Sequence, residues 1–346
     1  MTRLGHPVLT QRRLNRAGLA RQLLLGRSTL SIPEALHQVG GLQTQYAPSG
    51  YVGLWTRLAG FHRDDLTRAL EDRSVVQATL MRGTIHLVAS GDFWPMAVGI
   101  RRARREWAAR LPDGVRDARA SETHAVELRA ALADGPRSVA ELGGIASGFV
   151  GNVGLWVDLV RVPPGGTWER RRADVLGLAD QWLGPEDATE ATGLEDLLAA
   201  YLRGFGPAAP KDAASWAGVP VTWLRPAVET LGLRRFQDEA GRELLDLPDA
   251  PLPDEDAPAP ARLLPHWDAN LLVHARRTGI LPEPYRATLF HTRRPFSAGV
   301  ILVDGRVVGE WSVRDGHVRP TLYEELSAAD RREVDDEVEA LDAFHQ

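Results

Sequence analysis

Along the first third of the chain, apolar positions recur at helical spacing and then give way to β-branched runs. Residues 15–27 set Leu19, Leu23 and Leu24 beside arginines on other faces, which predicts a helix capped by Asn15. Ser31-Ile32-Pro33-Glu34 predicts a second start, with Ser31 as N-cap and the proline in the first turn. That helix carries Ala35, Leu36, Val39 and Leu42, so the following Gln43-Thr44-Gln45 is expected at a helix end, before a Pro/Ser/Gly turn. Further helices are expected around 51–58 and from Asp64. Val75–Met81 and Thr84–Val88 then flank Arg82-Gly83 as a β-hairpin. Helices followed by a hairpin make a winged helix.

The same order recurs. A helix over 122–134 precedes Ser138-Val139-Ala140-Glu141, which has capping-box spacing. An apolar segment over 153–162, a turn at 163–166 and the charged run Trp168-Glu169-Arg170-Arg171-Arg172 complete a second unit. Residues 194–204 and 211–231 read as a third helix-turn-helix, and Pro/Asp-rich 248–260 reads as a linker. Beyond it, 263–264, 300–303, 306–311 and 313–320 alternate as strands, with Asp304-Gly305 as a hairpin turn. An acidic helix over 328–344 follows. The expected class is α+β, mainly helical, divided as 1–120, 121–190, 191–247, linker 248–260 and a β-rich 261–346.

Charge adds a function class. The net of −5 hides an asymmetry: residues 1–120 hold 18 arginines against 9 acids, leaving the remainder at −14. A surface facing a polyanion is expected in the first part, with solvated surface charge as the plainer alternative. Arg101, Arg102, Arg104 and Arg105, interleaved with Trp107, form its densest cluster on a predicted helix. Lys211 is the only lysine.

Other chemistry is largely excluded. The chain has no cysteine, hence no disulfide framework or thiolate metal site. The histidines show no metalloprotease spacing, and Asp268 and His274 are expected to be structural. There is no G-x-S-x-G elbow, and Gly148–Gly154 does not match a P-loop. No apolar run spans a bilayer and no signal-peptide core opens the chain, so a cytoplasmic protein is expected. Trp55 and Trp156 are expected in the core.

Read from the residues alone, Gln43 and Gln45 are surface amides. However, Gly41–Trp55 resembles the bacterial winged-helix DNA glycosylases of the AlkZ and YcaQ type. So do Leu80–Val88, Gly154–Asp158 through Trp168–Arg172, and Leu264–Leu272, in the same order over roughly residues 11–320. The resemblance implies tandem winged-helix units around a concave DNA-binding surface. It implies a glycosylase that removes alkylated purines, cationic bulky guanine adducts and crosslinks included, from double-stranded DNA. Because Lys211, the only lysine, lies far from the Gln motif in sequence, a monofunctional enzyme that forms no Schiff base is expected. Gln43 and Gln45 match the family's catalytic Gln-x-Gln signature, and Thr44 replaces a usually more apolar middle residue, with its side chain expected to point away from the site. Arg82 and His86 on the hairpin, the four arginines from 101 to 105, and Arg170, Arg171 and Arg172 are the expected DNA contacts. No metal or cofactor is expected, and the chain is expected to act as a monomer. A winged-helix regulator that binds DNA without releasing a base, or a protein sequestering a genotoxic compound, would share the basic face.

Overall fold

Thr10, rather than Asn15, opens the first helix. The computed structural model describes residues 6–110, 118–145, 156–272, 279–290 and 298–346; His274 and residues 148–155 lie outside them. After β1 (Val8–Leu9), Thr10 Oγ1 accepts the Arg13 N–H at 3.1 Å to cap α1 (Gln11–Arg21). Asn15 is instead buried, donating to the Gly279 and Gly305 carbonyls at 2.9 Å. The next helix, α2 (Ile32–Val39), starts as expected, with Glu34 taking the Ser31 N–H at 2.9 Å. There follow β2 (Leu42–Gln43), α3 (Pro48–Trp55), α4 (Arg63–Glu71), β3 (Val75–Thr79), β4 (Ile85–Ala89) and α5 (Ser90–Ala108).

The second part holds α6 (Ala118–Ala131), β5 (Arg137–Ser138), α7 (Val139–Leu142), β6 (Leu159–Arg161), β7 (Val175–Leu178) and α8 (Ala179–Leu183). Then come α9 (Glu190–Phe205), α10 (Pro210–Ala217), α11 (Arg225–Thr230), β8 (Arg234–Asp238) and β9 (Glu243–Asp246). The last part runs β10 (Arg262–Leu264), α12 (Ala269–Leu272), α13 (Arg286–Leu289), β11 (Gly299–Val303), β12 (Arg306–Arg314), β13 (His317–Leu322) and α14 (Ala328–His345).

Sheet pairing runs across the divisions expected at residues 120 and 190. One sheet has the order β2-β4-β3-β6-β7-β5, in which β3 pairs with β6 from beyond residue 120. In a second, the N-terminal β1 pairs in parallel with β8. The third, β10-β11-β12-β13, turns at Asp304-Gly305, where both residues take positive φ (48° and 74°) as a tight hairpin demands. The largest apolar core gathers Ile100 of α5, Tyr201 of α9 and Trp216 of α10. There α5 and α9 approach so closely at Gly99 and Gly193 that a Cβ on Gly99 would meet the Gly193 carbonyl carbon at 2.7 Å.

Much of the basic charge expected on the surface is spent inside. Among the described residues, eight arginines of 1–120 pair with acids beyond that point, including Arg12 and Arg16 with Asp304, Arg21 with Asp246, Arg27 with Glu337 and Arg57 with Asp268. Both ends of Arg21–Asp246 are fully buried, and those of Arg57–Asp268 nearly so. The charge asymmetry of the chain is thus in large part a docking code between its first and last parts. Segment 248–260 lacks regular structure, as a linker would, yet is strapped to α1: Arg12, Arg16 and Arg21 donate to the carbonyls of Glu255, Ala257 and Pro251.

Candidate functional site

Two glycines set up the glutamine pair. Gly40 ends α2 in the left-handed conformation (φ 76°), and Gly41 (φ 81°) sits where a Cβ would meet Val88 at 2.8 Å. The chain therefore leaves the helix and lies flat against β4 as a short strand, not as the helix end expected. Leu42 pairs with Leu87 and Gln43 with His86, and the Thr44 N–H continues the ladder to Ile85 O at 2.8 Å.

The paired strand ends at Gln43, and Gln45 lies in the bend that leads into α3. Between them Thr44 is buried, with its methyl 2.8 Å from where a Cβ on Gly50 would lie. Its hydroxyl finds no hydrogen-bond partner there.

Each amide is oriented by a donor. Arg82 Nη2 donates to Gln43 Oε1 at 3.1 Å, and the Ile85 N–H donates to Gln45 Oε1 at 3.2 Å. Because both partners can only donate, each carbonyl faces inward and each NH2 group is turned away. Gln43 is buried and Gln45 exposed, so one amide is anchored and the other is presented. Arg82 is itself held by the Trp216 carbonyl at 2.7 Å, from a backbone with φ 55°. It is exposed, has no carboxylate within ion-pair distance among the described residues, and is crowded enough that burial pulls its pKa down. A positioned cation with only neutral partners is a seat for an anion.

The other expected DNA contacts divide. His86 is buried, bonded to the Thr84 carbonyl at 3.0 Å, with its pKa pushed down to about 3 by burial and by Arg82. It is a neutral strut behind the motif and not a group facing a groove. Arg101 is engaged by Asp158 and Glu186, and Arg102 by Glu106 and Glu190. Arg104 donates to Thr79 O at 2.9 Å, burial lowering its pKa to about 10, and Arg105 lies over the Trp156 ring at 5.8 Å. Those four are held by protein groups on and around α5. Arg170, Arg171 and Arg172 are exposed, and Arg171 reaches back to Tyr46 Oη at 3.0 Å. Of the eight expected arginines and His86, Arg82 touches Gln43, and Arg171 touches the residue next to Gln45.

Tyr46, which the sequence did not single out, adjoins Gln45 and joins two distant segments. Its ring meets His266 edge-on at 6.0 Å, and His266 meets Trp311 at 5.4 Å. Tyr46 lay in one family-like segment and His266 in another, but nothing in the sequence joins them. Asp268 is consumed by Arg57 and Asn270, and no cluster of three potential metal ligands occurs among the described residues. No described helix is long and apolar enough to cross a membrane.

No curated protein matches the chain. Among solved structures, Streptomyces sahachiroi DNA glycosylase AlkZ shares its fold with a TM-score of 0.80 at 19% identity, over 98% of this chain and 97% of that one. Residues 36–344 match the family described as DNA glycosylase AlkZ-like. With a match over most of its length and an α+β fold shared with AlkZ, the chain belongs to the AlkZ-like DNA glycosylase family.

Proposed function

We propose that this protein hydrolyses the N-glycosidic bond of cationic alkylated purines in duplex DNA, bulky guanine adducts and interstrand crosslinks included, and leaves an abasic site. The observation that carries the reading is the pair of amides held by donors two residues apart, Gln43 by the Arg82 guanidinium and Gln45 by the Ile85 N–H. A guanine alkylated at its Hoogsteen nitrogen already carries positive charge. The C1′–N9 bond then breaks with its electrons neutralising the base, so no strong general acid is required. The oxocarbenium-like sugar needs a positioned water and suitable dipoles. Gln45 Oε1 keeps a second lone pair that can accept from that water, whose oxygen bonds C1′ and whose proton passes to solvent. Arg82, with Arg170, Arg171 and Arg172, would hold flanking phosphates.

Strand cutting by a Schiff base would need an amine. Lys211 is remote from the motif in sequence, but α10 packs its Trp216 carbonyl onto Arg82. Lys211 is exposed and lies about 7.5 Å along the helix axis from Trp216, at ~1.5 Å per residue. Sequence distance is therefore no argument for a monofunctional enzyme; the neutral-amide chemistry is. Borohydride trapping should give no protein–DNA adduct.

The deciding assay incubates duplex carrying one 7-alkylguanine with the protein, then cleaves abasic sites with alkali. Wild type should cleave and the Gln43→Ala/Gln45→Ala variant should lose activity at least 100-fold. Gln45→Asp should keep or broaden it. Tight DNA binding with no base release would refute the reading and leave a DNA-binding protein.

A further inference from the structure

Arg82 occupies a backbone position that most side chains avoid. In the turn between β3 and β4 it takes φ 55° and ψ 16°, the left-handed region that glycine enters at no steric cost, and Gly83 follows at φ 73°. Such a backbone persists where its surroundings hold the side chain in one direction. Here two acceptors set that direction. Nη1 donates to the Trp216 carbonyl at 2.7 Å, and Nη2 donates to Gln43 Oε1 at 3.1 Å.

The Trp216 carbonyl is left over by its own helix for a reason legible in the sequence. It lies in the last turn of α10, and its helical partner four residues on would be Pro220, which has no N–H. The Gly218 and Val219 N–H groups both turn back to the Ala214 carbonyl instead. Gly218, at φ 77°, brings this helix end down onto the turn, so that a Cβ there would lie 3.5 Å from the Arg82 backbone nitrogen. The carbonyl end of a helix also favours a cation.

We infer that Arg82 is a positioning residue for base release, acting through Gln43, and that the end of α10 is the element that aims it. The inference rests on the glycosylase reading above and gives the two amides different tasks. With its carbonyl held by Arg82, Gln43 presents N–H donors, which suit a phosphate oxygen, while Gln45 keeps a lone pair for the water. The guanidinium also polarises the amide it grips, which strengthens those donors. Two of its five N–H groups are engaged in this way, so the cation still serves a flanking phosphate. What spans two acceptors at once is the planar fork; a lysine ammonium supplies the charge without it.

The test measures single-turnover release of 7-alkylguanine from duplex at saturating protein, so that weaker DNA binding does not enter the rate. Arg82→Gly, which suits the left-handed turn, should slow release at least tenfold. Millimolar ethylguanidinium should restore most of the lost rate, whereas ethylammonium, of equal charge, should not. Arg82→Lys should also stay at least tenfold slow, yet keep the wild-type salt dependence of duplex binding. A wild-type rate in either variant, or the two ethyl cations acting alike on Arg82→Gly, overturns the inference while the glycosylase reading stands. Absence of base release by wild type overturns the glycosylase reading itself.

Discussion

The Arg57–Asp268 pair offers a quantitative check on how the first and last parts of the chain are joined. Asp268 accepts Arg57 Nη2 at 2.9 Å on one oxygen, and the Asn270 N–H and Nδ2 at 3.0 and 2.8 Å on the other. Gln22 bonds the same Arg57 at 3.2 Å, and both charged side chains are at most 1% exposed. Asp268→Asn keeps an acceptor for Asn270 but leaves the guanidinium buried beside a neutral amide. Removing one partner of a buried pair costs about 3–5 kcal/mol, because the remaining charge stays desolvated. The variant should lose that much in urea unfolding, as a lower midpoint with an unchanged slope. Arg57→Met/Asp268→Asn deletes both charges while preserving most of the volume, and should lie within about 2 kcal/mol of wild type. A double variant whose loss equals the sum of its singles would refute the coupling. So would an Asp268→Asn cost below about 1 kcal/mol.

Three further outcomes follow from the site. Thr44→Val, which removes a buried hydroxyl without a partner, should raise stability by about 1 kcal/mol and leave base release unchanged; a loss of stability would show that the hydroxyl is bonded. His86 titrates near 6.5 unfolded but about 3 folded, so below pH 6.5 the unfolded chain takes a proton that the folded one refuses, and stability falls with pH. Relative to His86→Leu, wild type should lose about 2 kcal/mol between pH 7 and 5, at ~1.4 kcal/mol per unit below pH 6.5, and parallel profiles would refute this. Arg82→Met should weaken duplex binding and flatten its salt dependence by about one phosphate contact, whereas an unchanged salt slope would remove Arg82 from the DNA-facing set.

The sequence carried those features that depend on neighbours in the chain. Ser31 and Ser138 set their capping boxes three residues away, Arg82-Gly83 and Asp304-Gly305 turn between strands that adjoin them, and the apolar spacing of α2 and α14 needs only helical geometry. The glutamine pair was legible too, through its flanks and not its own chemistry. Contacts across long separations decided the rest. Asn15 looked like a cap because its true partners, Gly279 and Gly305, lie more than 260 residues away. The arginines of α1 swelled the net positive charge of the first third because their acids lie between residues 246 and 304. The two glutamines looked like the end of a helix, whereas pairing with β4 draws Gln43 into a strand and leaves Gln45 in the bend after it. Only that pairing brings Gln43 beside Arg82 and Gln45 beside the Ile85 N–H, and only the docking of β10 and β12 beside α3 brings His266 and Trp311 up to Tyr46. Capping, turn and periodicity signals are local, whereas burial, ion pairing and pocket shape are settled when distant segments exclude water together.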